Sequence, residues 1–274
     1  MKKWFITGIS RGFGKALAEA ALARGDLVIG TTRDGKSDIA PSRGKLHVLP
    51  LEVGNAAAVD STVATAFELG GGLDVIVNNA GYGLLGAVEN ATDAEVTRLF
   101  EVNVLGTFRV IRAALPKLRA QGRGHIINIT SIAGRAPRAG TGLYSASKSA
   151  VEGLSQSLAE EVAPLGIKVT VVAPGTFRTD FLSDHSIRKS TQAEDAYANT
   201  VGRILGLLDE IAGKQPGDPV RAAEAILAVA DTERPPLHLL LGSDALRRAR
   251  DKLDTLIEEM DRWEEVTRGT DFPK

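Results

Sequence analysis

Short apolar runs that alternate with longer stretches of helical period leave this chain few folds. The runs fall at residues 2–7, 26–32, 46–51, 73–77, 125–130, 167–172 and 237–241. Between most of them, apolar residues recur every three or four positions, at 12–24, 56–69, 93–119, 144–163 and 219–230. A run that is apolar on nearly every residue needs cover on both faces, as strands of a parallel sheet do. Helical crossovers give that cover, and their right-handed preference distributes helices over both sides. The expected fold class is α/β, a doubly wound seven-stranded parallel sheet.

Two stretches break the rhythm. Residues 176–218 form a long insertion between strands, polar at first, with an amphipathic helix at about 193–212. After the last run, 243–268 reads as a charged helix. Its apolar residues Leu246, Ala249, Leu253, Leu256, Met260 and Trp263 make one narrow stripe. That stripe either covers its own subunit or pairs with another chain. With no linker or repeat, residues 1–274 are expected to form one domain carrying a lid-like insertion and a helical extension. Composition then narrows the partners. A net charge of -1 gives no excess to attract nucleic acid or acidic lipid. Zero cysteines exclude thiolate metal sites and cysteine nucleophiles, and four scattered histidines offer no i, i+4 ligand pair, so no metal is expected. No apolar run reaches the roughly 18–20 residues that span a bilayer, so a cytoplasmic location is expected.

Thr7-Gly8-Ile9-Ser10-Arg11-Gly12-Phe13-Gly14 lies between the first run and the first helix. Glycines there permit a tight turn and let backbone N–H groups at the helix start approach a pyrophosphate, with Ser10, Arg11 and Phe13 beside it. Dinucleotide sites usually place an acid at the end of the second strand to hold the adenosine ribose 2′-OH. Here that end is Thr32 followed by Arg33, a hydroxyl and a guanidinium, which suit a 2′-phosphate. Arg11 is a second cation for the same group. NADP(H) is therefore favoured over NAD(H), although Asp34 offsets part of the charge of Arg33.

Tyr144 and Lys148 stand four residues apart, on one face of a helix. Asn78-Asn79-Ala80-Gly81 follows the fourth run, Ser131 the fifth and Pro174-Gly175 the sixth. All lie at carboxyl ends of strands, where such sheets bind ligands. With Ser131 thirteen residues before Tyr144, and Asn103 ahead of both, the chain closely resembles the compact branch of the short-chain dehydrogenase/reductase family. The resemblance runs from Thr7 to about Thr179 and more loosely to Leu241. It implies a Rossmann-type sheet, a nicotinamide cofactor and interconversion of a carbonyl and an alcohol.

Residue by residue, the resemblance makes Tyr144 the acid/base and Ser131 the donor to the substrate oxygen. It gives Lys148 two tasks, tuning the phenol and gripping the nicotinamide ribose, and it makes Asn103 the holder of a relay water. A free tyrosine titrates near pKa ~10, so Lys148 one turn away and the nicotinamide's positive charge are both expected to favour the phenolate. The cofactor contacts carried over are Asn79, Ala80, Gly81, Pro174, Gly175 and Thr179. Glu52 and Val53 stand where the family has an Asp-Val pair at the adenine. The long C-terminal helix is more similar to hydroxysteroid- and retinol-dehydrogenase-like members than to acyl-carrier-protein reductases, which end near the last strand.

Specificity is expected from 84–87, 133–143 and the 176–218 insertion. There Phe177, Phe181, Leu182, Ile187 and Tyr197 suit a small, hydrophobic carbonyl substrate. The resemblance also implies a homodimer through the helices at 93–119 and 144–163, with a homotetramer as the alternative. Two rival functions are a non-catalytic NADP(H)-binding regulatory protein and a sugar-nucleotide epimerase or dehydratase. Retention of both Tyr144 and Lys148 counts against the first. The T-G-x3-G-x-G spacing and the short chain count against the second.

Overall fold

A computed structural model describes residues 1–40, 42–183, 186–190 and 195–272. Seven strands form one parallel sheet: β1 (Lys3–Thr7), β2 (Leu27–Thr32), β3 (Lys45–Pro50), β4 (Val75–Asn78), β6 (Gly124–Ile129), β7 (Ile167–Pro174) and β9 (His238–Leu241). Their order is β3-β2-β1-β4-β6-β7-β9. The two-residue period of a strand divides the core. Trp4 and Ile6 of β1 face α1 (Gly12–Ala23) and α7 (Pro219–Asp231). Phe5 faces the other layer, built from α2 (Ala56–Gly70), α4 (Thr107–Gln121) and α5 (Gly142–Val162). The chain winds away from β1 in both directions, so the crevice between the ends of β1 and β4 is the switch point of the sheet. Among the described residues, no helix is long and apolar enough to cross a membrane.

Four features depart from the sequence expectation. The helix expected over 93–119 is two helices, α3 (Asp93–Phe100) and α4, joined by a wider π-type turn at Glu101–Gly106. Gly106 lets that turn pack closely on the segment after β3, since a Cβ there would lie 3.0 Å from the Val53 side chain. Second, a small parallel pair, β5 (Gly83–Leu85) with β8 (Ile187–Lys189), ties the insertion to the loop after β4. Third, the helix expected at 193–212 is regular only over α6 (Arg203–Ile211), and residues 193 and 194 lie outside the described residues.

The fourth feature bears on the alternative left open for the C-terminal stripe. The C-terminal helix α8 (Ser243–Arg262) continues as α9 (Glu264–Arg268) after a break at Trp263. Only Ala245 and Ala249 of α8 are buried, against Ile132 and Ala136. Two small side chains hold the root of the helix, and the larger residues of its stripe extend past the body. Of the stripe, Ala249 alone is buried on its own subunit, and Leu246, Leu253, Leu256, Met260 and Trp263 stay exposed.

Candidate active site

Four segments meet at the carboxyl edge of the sheet. The first is the turn between β1 and α1, where Gly8 and Gly12 adopt φ of 74° and 59°, a region that excludes most side chains. Gly14 is required for a different reason: a Cβ there would lie 2.2 Å from the Gly8 carbonyl oxygen and 2.4 Å from Asn79 Nδ2. Ser10 is exposed at the rim, and Phe13 packs edge-on to Phe177 with centroids 5.0 Å apart. The second segment, Asn79-Ala80-Gly81, is stitched to this turn. Asn79 Nδ2 donates to the carbonyls of Thr7 and Gly8, both at 2.9 Å. The backbone N–H groups of Asn79 and Ala80 both donate to Thr7 Oγ1, at 3.0 and 3.1 Å. These bonds leave the turn little freedom to relax around a ligand.

Ser131 at the end of β6 and Tyr144 and Lys148 on α5 make the third and fourth segments. Tyr144 is buried, and its phenol is hydrogen-bonded to Ser131. Lys148 is also buried. Its Nζ lies 5.9 Å from the Tyr144 ring centre and donates to the Ile129 carbonyl at 2.9 Å. Burial dominates both titrations. Desolvation pushes the phenol up to about 12, against the opposing bond from Ser131. The same cause pulls Lys148 down to about 8, with the Glu152 carboxylate opposing. In the protein alone, burial of the phenol opposes the phenolate more than the Ser131 hydrogen bond favours it.

Asn103 sits in the π-type turn, 1 % exposed. Its side chain is fully engaged. Nδ2 donates to the Tyr82 carbonyl at 2.9 Å and to Ser147 Oγ at 3.1 Å, while Oδ1 accepts from the Tyr82 N–H at 3.0 Å. It fixes the loop after Gly81 to the turn before Lys148. Its backbone carbonyl accepts from Thr107 Oγ1 at 3.1 Å.

The residues for the far end of a cofactor are spread along β2 and β3. Thr32 is buried and donates to Asp34 at 3.2 Å, and Arg33 beside it is exposed. Arg11 points elsewhere: its Nε donates to Ser186 Oγ in the insertion at 2.9 Å. Glu52 is ion-paired with Arg98 at 3.0 Å, and Val53 is buried against Gly106. Pro174 closes β7, and a Cβ on the following Gly175 would collide with Asp244, 2.1 Å away. Thr179 comes within 3.8 Å of a Cβ built on Gly12 and caps a short turn by accepting from the Phe181 N–H at 3.3 Å.

Of the five proposed pocket residues, Phe181 lies over Tyr144 with centroids 5.8 Å apart. A Cβ built on Gly83 would lie 3.2 Å from Ile187 and 3.4 Å from Phe181. Leu182 lines the cleft beside Gly12. Phe177 does not face a pocket, since it joins the core under α1 and α7. Tyr197 is half-buried at the start of the turns before α6.

Two residues escape the sequence reading. Glu152 is buried one turn beyond Lys148 and accepts from Thr130 Oγ1 at 2.6 Å and from Arg135 Nη2 at 2.9 Å. An acid one turn from Lys148, on the inward face of α5, is the signal that marks it. Asp244 accepts from the N–H and hydroxyl of Thr176 at 2.9 and 2.8 Å, fastening the root of the insertion to α8. Nothing in the local sequence announces that contact.

A family model described as short chain dehydrogenase matches residues 2–190. The chain belongs to the short-chain dehydrogenase family. Among the family's curated proteins, Oxidoreductase BOA17 of Botryotinia fuckeliana is 39 % identical over 270 residues, covering 97 % of this chain and 98 % of that protein. A 3-ketodihydrosphingosine reductase of Bacteroides thetaiotaomicron is 38 % identical over 237 residues, 86 % of each chain. A solved short-chain dehydrogenase from Streptomyces avermitilis superposes with a TM-score of 0.91 at 43 % identity, over 99 % of this chain and 100 % of that one. ElxO, solved with NADP bound, superposes at 0.73 with 27 % identity, over 90 % and 100 % of the two chains. A Burkholderia phymatum member in complex with NAD shares the fold, with a TM-score of 0.78 at 22 % identity over 91 % and 92 %. The chain is thus an oxidoreductase of a family whose members bind nicotinamide cofactors.

Proposed function

We propose that this chain forms one domain and is an NADP(H)-dependent reductase of hydrophobic carbonyl compounds, run reversibly as an alcohol dehydrogenase. The observation that carries the proposal is the buried Ser131–Tyr144–Lys148 group, with the phenol held protonated beside the glycine turn. The cradle fits a dinucleotide: Gly14 leaves the space beside the Gly8 carbonyl that any larger residue would fill, and the N-terminus of α1 favours an anion. Gly8, Gly12, Asn79–Gly81, Gly175 and Thr179 would hold the dinucleotide, with Arg33 at a 2′-phosphate. When bound, the nicotinamide supplies the hydride.

The substrate oxygen would sit between the Ser131 hydroxyl and the Tyr144 phenol. Ser131 donates to it as negative charge grows. Tyr144 delivers the proton, so an alcohol leaves rather than an alkoxide. The Lys148 ammonium, fixed on the Ile129 carbonyl, then stabilises the phenolate until solvent restores the proton. Asn103 acts by position, holding Tyr82 and Ser147 around the site.

Phe181 over Tyr144 and Ile187 over Gly83 give the substrate side its apolar character. The insertion carrying them acts as a lid hinged where Phe177 bridges to Gly217. The groove lined by Phe108, Ile111, Leu115, Leu154 and Leu158, between α4 and α5, suits the homodimer that the family resemblance implies. A panel of hydrophobic aldehydes and ketones, read by NADPH consumption, tests the activity. Tight NADPH binding with no carbonyl reduced would favour a regulatory, binding-only protein.

A further inference from the structure

From Leu253 to Phe272 every residue is exposed, although α8 and α9 carry Leu253, Leu256, Ile257, Met260 and Trp263 on one side. Met260 and Trp263 are 61 % and 59 % exposed. Scattered apolar residues on a surface need no partner, but a contiguous stripe with 3-4 spacing on a projecting helix does. The charges beside the stripe say which partner. With Leu246, Leu253 and Met260 in one seam row and Leu256 and Trp263 in the other, beyond the Ala249 that packs on its own subunit, the charged flanking residues are Arg250 and Lys252 in the first half. In the second half they are Glu259 and Glu264. One end of the helix is edged with cations and the other with anions.

We infer that α8 and its continuation form an antiparallel helix pair with the same element of a second copy of this chain. In that arrangement Arg250 and Lys252 face Glu259 and Glu264 of the partner subunit, and the two apolar stripes close on each other. A parallel pair would set like charges together. A two-fold axis perpendicular to the helices generates this antiparallel pair. A membrane surface fits poorly, because the solvent side of the distal half adds Glu258, Asp261 and Glu265, which acidic lipid repels. The contact lies outside the α4–α5 groove, so it adds one doubling of mass to whatever that groove assembles.

Sedimentation equilibrium of the full chain at micromolar concentration tests this. Met260→Glu/Trp263→Glu is expected to halve the mass of the assembly while circular dichroism and NADPH affinity stay unchanged. Arg250→Glu/Lys252→Glu is expected to raise the dissociation constant of this step more than ten-fold. Adding Glu259→Lys/Glu264→Lys to that variant is expected to restore it, which a mere loss of helix could not do. An unchanged mass in the Met260/Trp263 variant, or failure of the second charge reversal to rescue the first, would overturn the proposal. So would co-sedimentation of the wild type, but not that variant, with phosphatidylglycerol vesicles.

Discussion

Glu152→Gln keeps the shape of a buried side chain and removes its charge, and two consequences of different size should follow. The carboxylate accepts from Thr130 Oγ1 at 2.6 Å and from Arg135 Nε and Nη2 at 3.1 and 2.9 Å, with His238 Nδ1 3.7 Å away. Because Arg135 is 21 % exposed, losing the pair should cost less than the ~3–5 kcal/mol of a fully buried one. About 2 kcal/mol is expected, a fall in Tm of about 4–8 °C for a chain of this size. The second consequence reaches Lys148, one helical turn away. A unit charge at roughly 6 Å and an effective dielectric of ~20 contributes about 2–3 kcal/mol, and the facing Arg135 cancels part of that. Lys148, now held at about 8, should fall by about one pH unit. Its protonated form is the one the chemistry uses, so turnover should begin to fail at lower pH than in the wild type. The assay is the pH profile of kcat/KM and of NADPH affinity, with Glu152→Asp as the control that retains the charge. A Glu152→Gln enzyme that loses stability but keeps the wild-type alkaline limb would refute any coupling between Glu152 and Lys148.

Arg33→Ala should weaken NADPH by more than ten-fold, the loss of about 1.5–3 kcal/mol from a charge-assisted phosphate bond, and leave NADH unchanged. Equal losses for both cofactors in calorimetric titrations would contradict the 2′-phosphate assignment. Gly14→Ala forces a Cβ to within 2.2 Å of the Gly8 carbonyl, an overpacking cost of about 1–3 kcal/mol. Cofactor affinity should fall by about 5- to 100-fold, and an unchanged affinity would mean the turn is not the cradle. His125 is buried and neutral, with its pKa lowered by desolvation from 6.5 to about 4. Between those values the unfolded chain binds the extra proton, so stability should decline as pH falls from about 6.5 to 4, by up to about 3 kcal/mol. Urea unfolding at pH 7 and 5 should show that decline, and His125→Gln should remove most of it.

The main sheet was legible because its signal is long and repeated. Val75–Asn78 and Gly124–Ile129 are apolar on both faces, and the order of elements then leaves a doubly wound sheet. The β5–β8 pair was not legible. Three-residue strands have too little pattern to register, and this pair joins Gly83 to Ile187 across distant parts of the chain. The π-type turn is silent for a related reason, since apolar residues keep their three-to-four spacing through Val96, Phe100, Val104, Phe108 and Ile111 while the backbone widens.

That Ser131, Tyr144 and Lys148 come together at one edge of the sheet was readable from spacing together with family resemblance. Their titration was not, because it depends on burial that only packing determines. The same holds for Arg11. On the sequence it is a second phosphate ligand, but its side chain reaches Ser186, a contact set by the fold of the insertion. The C-terminal stripe was visible in the sequence, and whether it was covered was not.

In the proposed reaction, Tyr144 delivers a proton to a substrate oxygen beside a bound nicotinamide. Tyr144→Phe tests it most directly, with NADPH affinity by calorimetry and turnover on a confirmed carbonyl substrate measured on one preparation. The account predicts an affinity within about two-fold of wild type and a turnover lower by at least about 100-fold, the scale of general acid catalysis. Near-normal turnover in the phenylalanine variant would contradict it.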